Sequence, residues 1–267
     1  MQVVGLCRFS YPGFGGYRRS HDSIEERCAF LYQEDRIEER FRFFEAITLP
    51  GIRAQTDPDF TFVVLTGKSL PDHHYLRLKM LLDDIPQAKL LQLDPMHHRA
   101  AMAEAILPEV DLKRGPSIQF RLDDDDGVNI RFVEKLRAAR KDAQAIFERT
   151  NKVAIDFTQG YTATLDKNGI KVTRVSTTLW TPALAIIQRG YSKDTVMHFP
   201  HHVLNRQMTV ISYSGEPMFI RGVNDYNGDP LVNKFHEPSK MDTETKEILA
   251  SKFNIRQADV RRIFKAS

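Results

Sequence analysis

The chain has 267 residues, 42% of them hydrophobic and 27% charged, with a formal net charge of +3. That length allows one large or two small domains with an adequate core, and so small a charge gives no electrostatic case for a nucleic-acid partner. Cys7 and Cys28 are the only cysteines and form no CxxC, which excludes a disulfide framework, and no run of about 18 apolar residues exists to cross a bilayer.

The N-terminus, MQVVGLCRFSYPGFGG, has no basic region ahead of a long apolar one, so a reducing cytoplasm is the expected setting. Within it VVGLCRF reads as a buried strand stopped by the loop SYPGFGG. The glycines at 13, 15 and 16 lack the GxGxxG spacing of a dinucleotide site. RIEERFRFFEAITLPGI carries apolar residues at Ile37, Phe41, Phe44 and Ile47, a helical stripe expected to end near Pro50. FTFVVLTG, Phe60 to Gly67, is the next strand. LPDHHYLRLKMLLDDI then supplies a helix, AKLLQL a strand, HHRAAMAEAIL a helix and SIQFRL a further strand. This alternation predicts an α/β fold, a mainly parallel twisted sheet flanked by helices. From Lys152 the β-branched and aromatic texture, with turns at Gln159-Gly160 and Asn168-Gly169, predicts an antiparallel extension of the same sheet. The last segment predicts one or two amphipathic C-terminal helices. From Pro238 onward it holds seven Lys or Arg against four Asp or Glu, a bias that suits either a surface helix or an anionic membrane face.

The densest feature is SIQFRLDDDDGVNI. Ile118, Phe120 and Leu122 share one strand face, and four aspartates, Asp123 to Asp126, begin where that pattern ends. They therefore sit at the carboxyl edge of a strand, where open α/β sheets bind ligands. Unit charges about 4 Å apart repel by roughly 4 kcal/mol at an effective dielectric of 20, so a counter-charge is expected. Capping of the helix expected over GVNIRFVEKLRAARKDAQAIFER would satisfy one or two acids. Hard carboxylate oxygens also suit Mg²⁺ or Mn²⁺ shared with substrate phosphates.

RFFEAITLPGIRAQTDPDFTFVVLTGKSLP followed by FRLDDDDGV resembles the rhamnosyltransferase family of bacterial glycosyltransferases, and more broadly the GT-A fold of family 2 enzymes. The likeness is good from Val3 to about Phe132. It implies a single glycosyltransferase domain over residues 1–267: a nucleotide-sugar-binding half at 1–150, an acceptor-side half at 151–237 and a helical segment at 238–267. It implies Mn²⁺ or Mg²⁺, a UDP-, dTDP- or GDP-linked donor, and a glycan or lipid-linked acceptor, with peripheral contact at the inner membrane face. Under the resemblance, Arg8, Phe9, Ser10, Thr66, Gly67, Arg99, Arg121, Asp123 and Asp124 bind the nucleotide sugar. Asp125, Asp126 and His198 hold the metal, with an Asp124/Asp126 register left open. Glu216 in SGEPMF and Asp225 in GVNDYN are the candidate general bases. His201 and His202 accompany His198, while Trp180, Tyr11 and Tyr17 are aromatic rings that could stack on sugar or base. A two-metal phosphoesterase is the competing enzyme class. A Ca²⁺-binding module is disfavoured because Gly127 arrives one residue too soon for an EF-hand loop.

Overall fold

The computed structural model describes residues 1–15, 21–180, 182, 184–224, 226 and 241–265. Two sheets organise them. The larger has seven strands: β1 (Gln2–Arg8), β2 (Thr61–Gly67), β3 (Ala88–Leu93), β4 (Ser117–Asp123), β6 (Lys152–Phe157), β9 (Leu184–Gln188) and β10 (Thr209–Tyr213), in the order β10-β6-β9-β4-β1-β2-β3. Strand β9 is antiparallel to both of its neighbours, and every other pairing is parallel. The smaller sheet is β5 (Asp126–Val128), β11 (Phe219–Gly222), β7 (Gln159–Asp166) and β8 (Gly169–Ser176), in the order β5-β11-β7-β8. The α/β architecture is thus as expected, but the β7–β8 hairpin belongs to a second sheet. It does not extend the first.

Alternation along β1 explains the layering. Val3, Cys7 and Phe9 face one core, with the sheet residues Phe62, Phe120 and Ile155. Helices α2 (Glu34–Phe43), α4 (Asp72–Leu82), α6 (Phe132–Asp142) and α7 (Gln144–Thr150) cover that side through Ile37, Leu78, Phe132 and Phe147. Val4 and Leu6 face the opposite side, closed by α5 (His98–Ile106) through Ala101, Met102 and Ile106. Such period-2 switching is what a sheet buried on both faces requires. Helix α1 (Ile24–Leu31) is capped by Ser23, whose hydroxyl accepts the Glu26 N–H.

The helix expected to stop near Pro50 does not. A five-residue π turn, Phe44–Thr48, joins α2 to α3 (Leu49–Arg53) with helical backbone at Thr48 and Leu49, and Pro50 sits just past it in the continuous run, where the change of hydrogen-bond pairing accommodates its missing N–H. Nor does a helix follow the aspartates directly. Strand β5 intervenes and α6 starts only at Phe132, so the quartet caps no helix.

The C-terminal segment forms two helices, α8 (Thr243–Phe253) and α9 (Gln257–Lys265). Leu249, Phe253, Val260 and Ile263 are buried against Tyr161, Ile170 and Val172 of the small sheet. The apolar side of these helices is therefore used inside the fold. No helix among the described residues is long and apolar enough to span a bilayer.

Candidate active site at the carboxyl edge of β1 and β4

Strand β1 lies between β2 and β4 in a parallel run, with Arg8 in register with Asp123. The chain leaves β1 toward β2 on one side and returns through α5 to β4 on the other. The carboxyl ends of β1 and β4 therefore flank a topological switch point. Ser10, just past β1, has φ +47°, a conformation costly for a non-glycine residue and typical of functional sites. Its hydroxyl accepts a 3.1 Å hydrogen bond from Arg36 Nη1, which also donates to Leu31 O.

Guanidinium groups answer the charge problem posed by the quartet. Arg40 Nη1 donates to Asp124 Oδ1 at 3.0 Å and Asp125 Oδ2 at 2.7 Å. Asn224 Nδ2 adds a 2.8 Å bond to the same Asp125 oxygen. Arg8 Nη2 lies 2.9 Å from Asp123 Oδ1. Arg221 Nη1 lies 2.8 Å from Asp126 Oδ2 and 3.6 Å from Asp123 Oδ2.

Secondary structure delivers each of these arginines. Arg36 and Arg40 are four apart on α2, one stripe over from the apolar Ile37 and Phe41, so both point inward at the strand ends. Arg221 closes the last rungs of β11, paired across to Asp126. None of Arg36, Arg40, Arg221 and Asn224 was among the residues expected from the sequence. The available signal was the Arg36/Arg40 spacing beside the apolar stripe.

Burial and neighbours set the protonation states. Burial pushes the Asp124 carboxyl up, and with the adjacent Asp125 charge it outweighs Arg40, leaving Asp124 at about 6 against an ordinary 3.8. Asp123 goes the other way. Although burial opposes ionisation, Arg8 and Arg221 hold it well below the usual carboxylate range. Burial also favours the neutral form of Arg40, but Asp125 and Asp124 more than reverse this and lock it charged. Arg36 and Arg121 are both lowered to about 10, chiefly by burial.

The remaining expected residues fall into three groups. Close to the quartet are Arg8, Ser10 and Arg121, the last within electrostatic reach of Asp123 and Asp126. Arg99 is exposed at the start of α5 and near His98 and His198. His98, which also feels Arg8, is held neutral by burial at about 4. Phe9, Thr66 and Gly67 lie at the right strand ends, but the Phe9 ring is fully buried against Phe41 and Phe44 and offers a ligand no side chain. Thr66 is buried as well, and Gly67 O accepts from Gln92.

Corrections follow from the geometry. Asp126 is fully buried, with Oδ2 on Arg221 and Oδ1 3.4 Å from the Gly222 N–H, which removes it as a metal ligand. His198 Nδ1 accepts the Thr195 N–H at 2.9 Å, so the neutral ring carries its proton on Nε2 and presents a donor there, not a ligand lone pair. Glu216 lies between Lys135 and Lys252, each 2.9 Å away, and is 3.5 Å from Arg131. Partial burial pushes its carboxyl up, but the two lysines win and hold it below the usual range, the wrong direction for a base. Its ion-pair partners lie on α6, on α8 and at Arg131, and none of them is an aspartate of the quartet or one of the arginines that brace it. Trp180 is core, edge-on to Phe219, and Tyr11 is buried with its hydroxyl donating to Asp94 O. His201 Nδ1 is 2.7 Å from Leu179 O, and burial lowers its pKa to about 4. His202 is exposed. Asp225 and Tyr17 lie outside the described residues.

The cluster fits a divalent cation by donor chemistry. Arg40 engages one oxygen of Asp124 and one of Asp125; the second oxygen of each, a hard donor, makes no hydrogen bond among the described residues.

Strand order, switch point and arginine-braced acidic edge together define an α/β protein with its candidate site at the carboxyl ends of parallel strands. The sequence pattern of the family described as "Putative rhamnosyl transferase" matches residues 2–232, and the chain belongs to that family. No curated protein matches. Among solved structures, S. aureus TarS 1–349 is similar with TM-score 0.41 and 10% identity over 83% of this chain and 60% of that one. The same TarS fragment in complex with UDP-GlcNAc gives 0.42 and 14% over 99% and 70%. A protein described as a "putative nucleotide-diphospho-sugar transferase" from Desulfovibrio desulfuricans G20 gives 0.38 and 11% over 84% and 82%.

Proposed function

We propose that the protein is a glycosyltransferase that moves a sugar, rhamnose in keeping with the family, from a nucleotide-diphosphate donor to a glycan or lipid-linked acceptor, with Mn²⁺ or Mg²⁺ as cofactor. The observation that carries the reading is the arginine-braced aspartate quartet at the β1/β4 switch point of a chain in this family. Asp125, with Asp124 beside it, would hold the cation, as the last acid of a D-x-D motif begun by Asp123. Bound there, the ion supplies a positive charge against which the diphosphate leaves.

The protein's own groups do the rest. Arg40 and Asn224 fix the Asp125 side chain so that its free oxygen keeps one direction. Asp123, held ionised by Arg8 and Arg221, accepts from donor hydroxyls. Arg99 and the Nε2–H of His198 donate to diphosphate oxygens, and the strained backbone at Ser10 lines the nucleoside side. With Glu216 withdrawn, Asp225 is the remaining candidate for the base. Peripheral membrane contact in the cytoplasm would rest on charge alone, through the exposed Arg256, Arg261, Arg262 and Lys265.

Hydrolysis of a panel of UDP-, dTDP- and GDP-sugars with and without Mn²⁺ tests the reading. One donor is expected to release its sugar only with metal present. Hydrolysis of a generic aryl phosphate with no nucleotide-sugar turnover would instead assign a phosphoesterase.

A further inference from the structure

Outside the quartet, one group of side chains has the composition and spacing of a second metal site. Glu34, His73 and His74 each place a ligand atom within 4.8 Å of the other two, in the described part of the chain. Glu34 opens α2, and the histidines are the second and third residues of α4. Consecutive residues on a helix ordinarily diverge by about 100°. Here the two imidazole centroids nevertheless lie 3.9 Å apart, with His74 Nε2 3.8 Å from Glu34 Oε2. His74 is buried, while Glu34 and His73 are exposed, so an ion could enter from solvent and keep a water in its fourth position.

We infer that Glu34, His73 and His74 form a Zn²⁺ site that fastens the start of α2 to the start of α4. An ion about 2.0–2.1 Å from each nitrogen sets tetrahedral ligand atoms roughly 3.3 Å apart, so binding would draw the ligand atoms together from the 4.8 Å that bounds them here and splay the two rings, whose centroids lie 3.9 Å apart. Two imidazoles and one carboxylate favour a borderline transition metal over the hard cation suited to the quartet. One turn further along both helices, Arg77 Nη1 bonds Glu38 Oε1 at 2.6 Å, and Arg77 Cζ lies 4.2 Å from the centroid of the Phe41 ring. The metal would thus add a rung to an existing helix–helix ladder. That ladder holds the helix which carries Arg36 and Arg40 to the strand ends, so the ion would brace the active site from outside it. The inference does not depend on the transferase reading.

The test is calorimetric titration of Zn²⁺ into untagged, chelator-treated full-length chain at neutral pH, with Co²⁺ as a spectroscopic replacement. One ion per chain and the visible absorption of four-coordinate Co²⁺ are expected. Both should be lost in the surface variants His73→Ala and Glu34→Gln, whose folding is checked by circular dichroism, and kept in Asp125→Asn. Absence of stoichiometric Zn²⁺ binding, or unchanged binding in folded His73→Ala, would overturn the site; loss of it in Asp125→Asn alone would move the ion to the quartet.

Discussion

Arg40 is the residue on which the acidic cluster depends most. Its single Nη1 spans two carboxylates that are nearly inaccessible to water, so removing it strands buried negative charge. Breaking such a pair from one side costs about 3–5 kcal/mol, and Arg40→Ala should lose that much in urea unfolding. Asp124 behaves in the opposite sense. Its folded-state pKa of about 6 exceeds the ordinary 3.8, so the folded protein keeps a proton that the unfolded chain releases. Stability from this group is full below pH 4 and declines as pH rises toward 6 and beyond. Asp124→Asn should therefore match the parent near pH 4 and exceed it at pH 7 by on the order of 1–3 kcal/mol. Equal stability of the two proteins across that range would show that Asp124 is ionised without penalty. The aspartates were legible as a site from sequence because a strand pattern ran straight into them. Their counter-charges were not: Arg40 and Arg221 are 84 and 95 residues from their partners, and only the fold brings them together.

At the scale of elements, LPGIRAQTDPDF is the scaffold beneath the quartet. A Cβ on Gly51 would come within 2.1 Å of Val128 O, so only glycine lets α3 approach β5 so closely. Gln55 then clamps the two, donating to Gly51 O and Asn129 O and accepting the Val133 N–H. This contact ties the two stretches on which the family resemblance was read. Gly51→Ala meets backbone, which cannot swing aside, and should cost about 1–3 kcal/mol by chemical denaturation while weakening nucleotide binding in parallel. Strands β3 and β4 were readable to within a residue because their alternation and flanking turns are local properties. The helix end at Pro50 was misplaced because a π turn let a proline sit inside a longer helical run. The helix expected from Gly127 starts only at Phe132, because the spacing of the first residues is ambiguous until β11 pairs with β5.

The whole molecule couples a mainly parallel sheet, which supplies the switch point, to a smaller sheet that contributes Arg221, with Asn224 two residues past the end of β11. The α/β half was evident because alternation of elements dictates it. The partition of later strands between two sheets was not, since hairpin signals fix neighbours and leave sheet membership open. Because Glu216 serves the packing of β11 against α6 and α8, Glu216→Gln should leave turnover within about twofold while lowering stability by less than about 1 kcal/mol, as for other partly exposed ion pairs. Thermal unfolding with Mn²⁺ and each of UDP, dTDP and GDP, in the parent and in Asp125→Asn, interrogates the site as a unit. At least one nucleotide should raise the midpoint only when metal is present, increasingly with ligand concentration, and Asp125→Asn should fold normally yet show no such rise. Stabilisation that is indifferent to metal, or that survives intact in Asp125→Asn, would mean that the aspartates serve only to hold arginines in place.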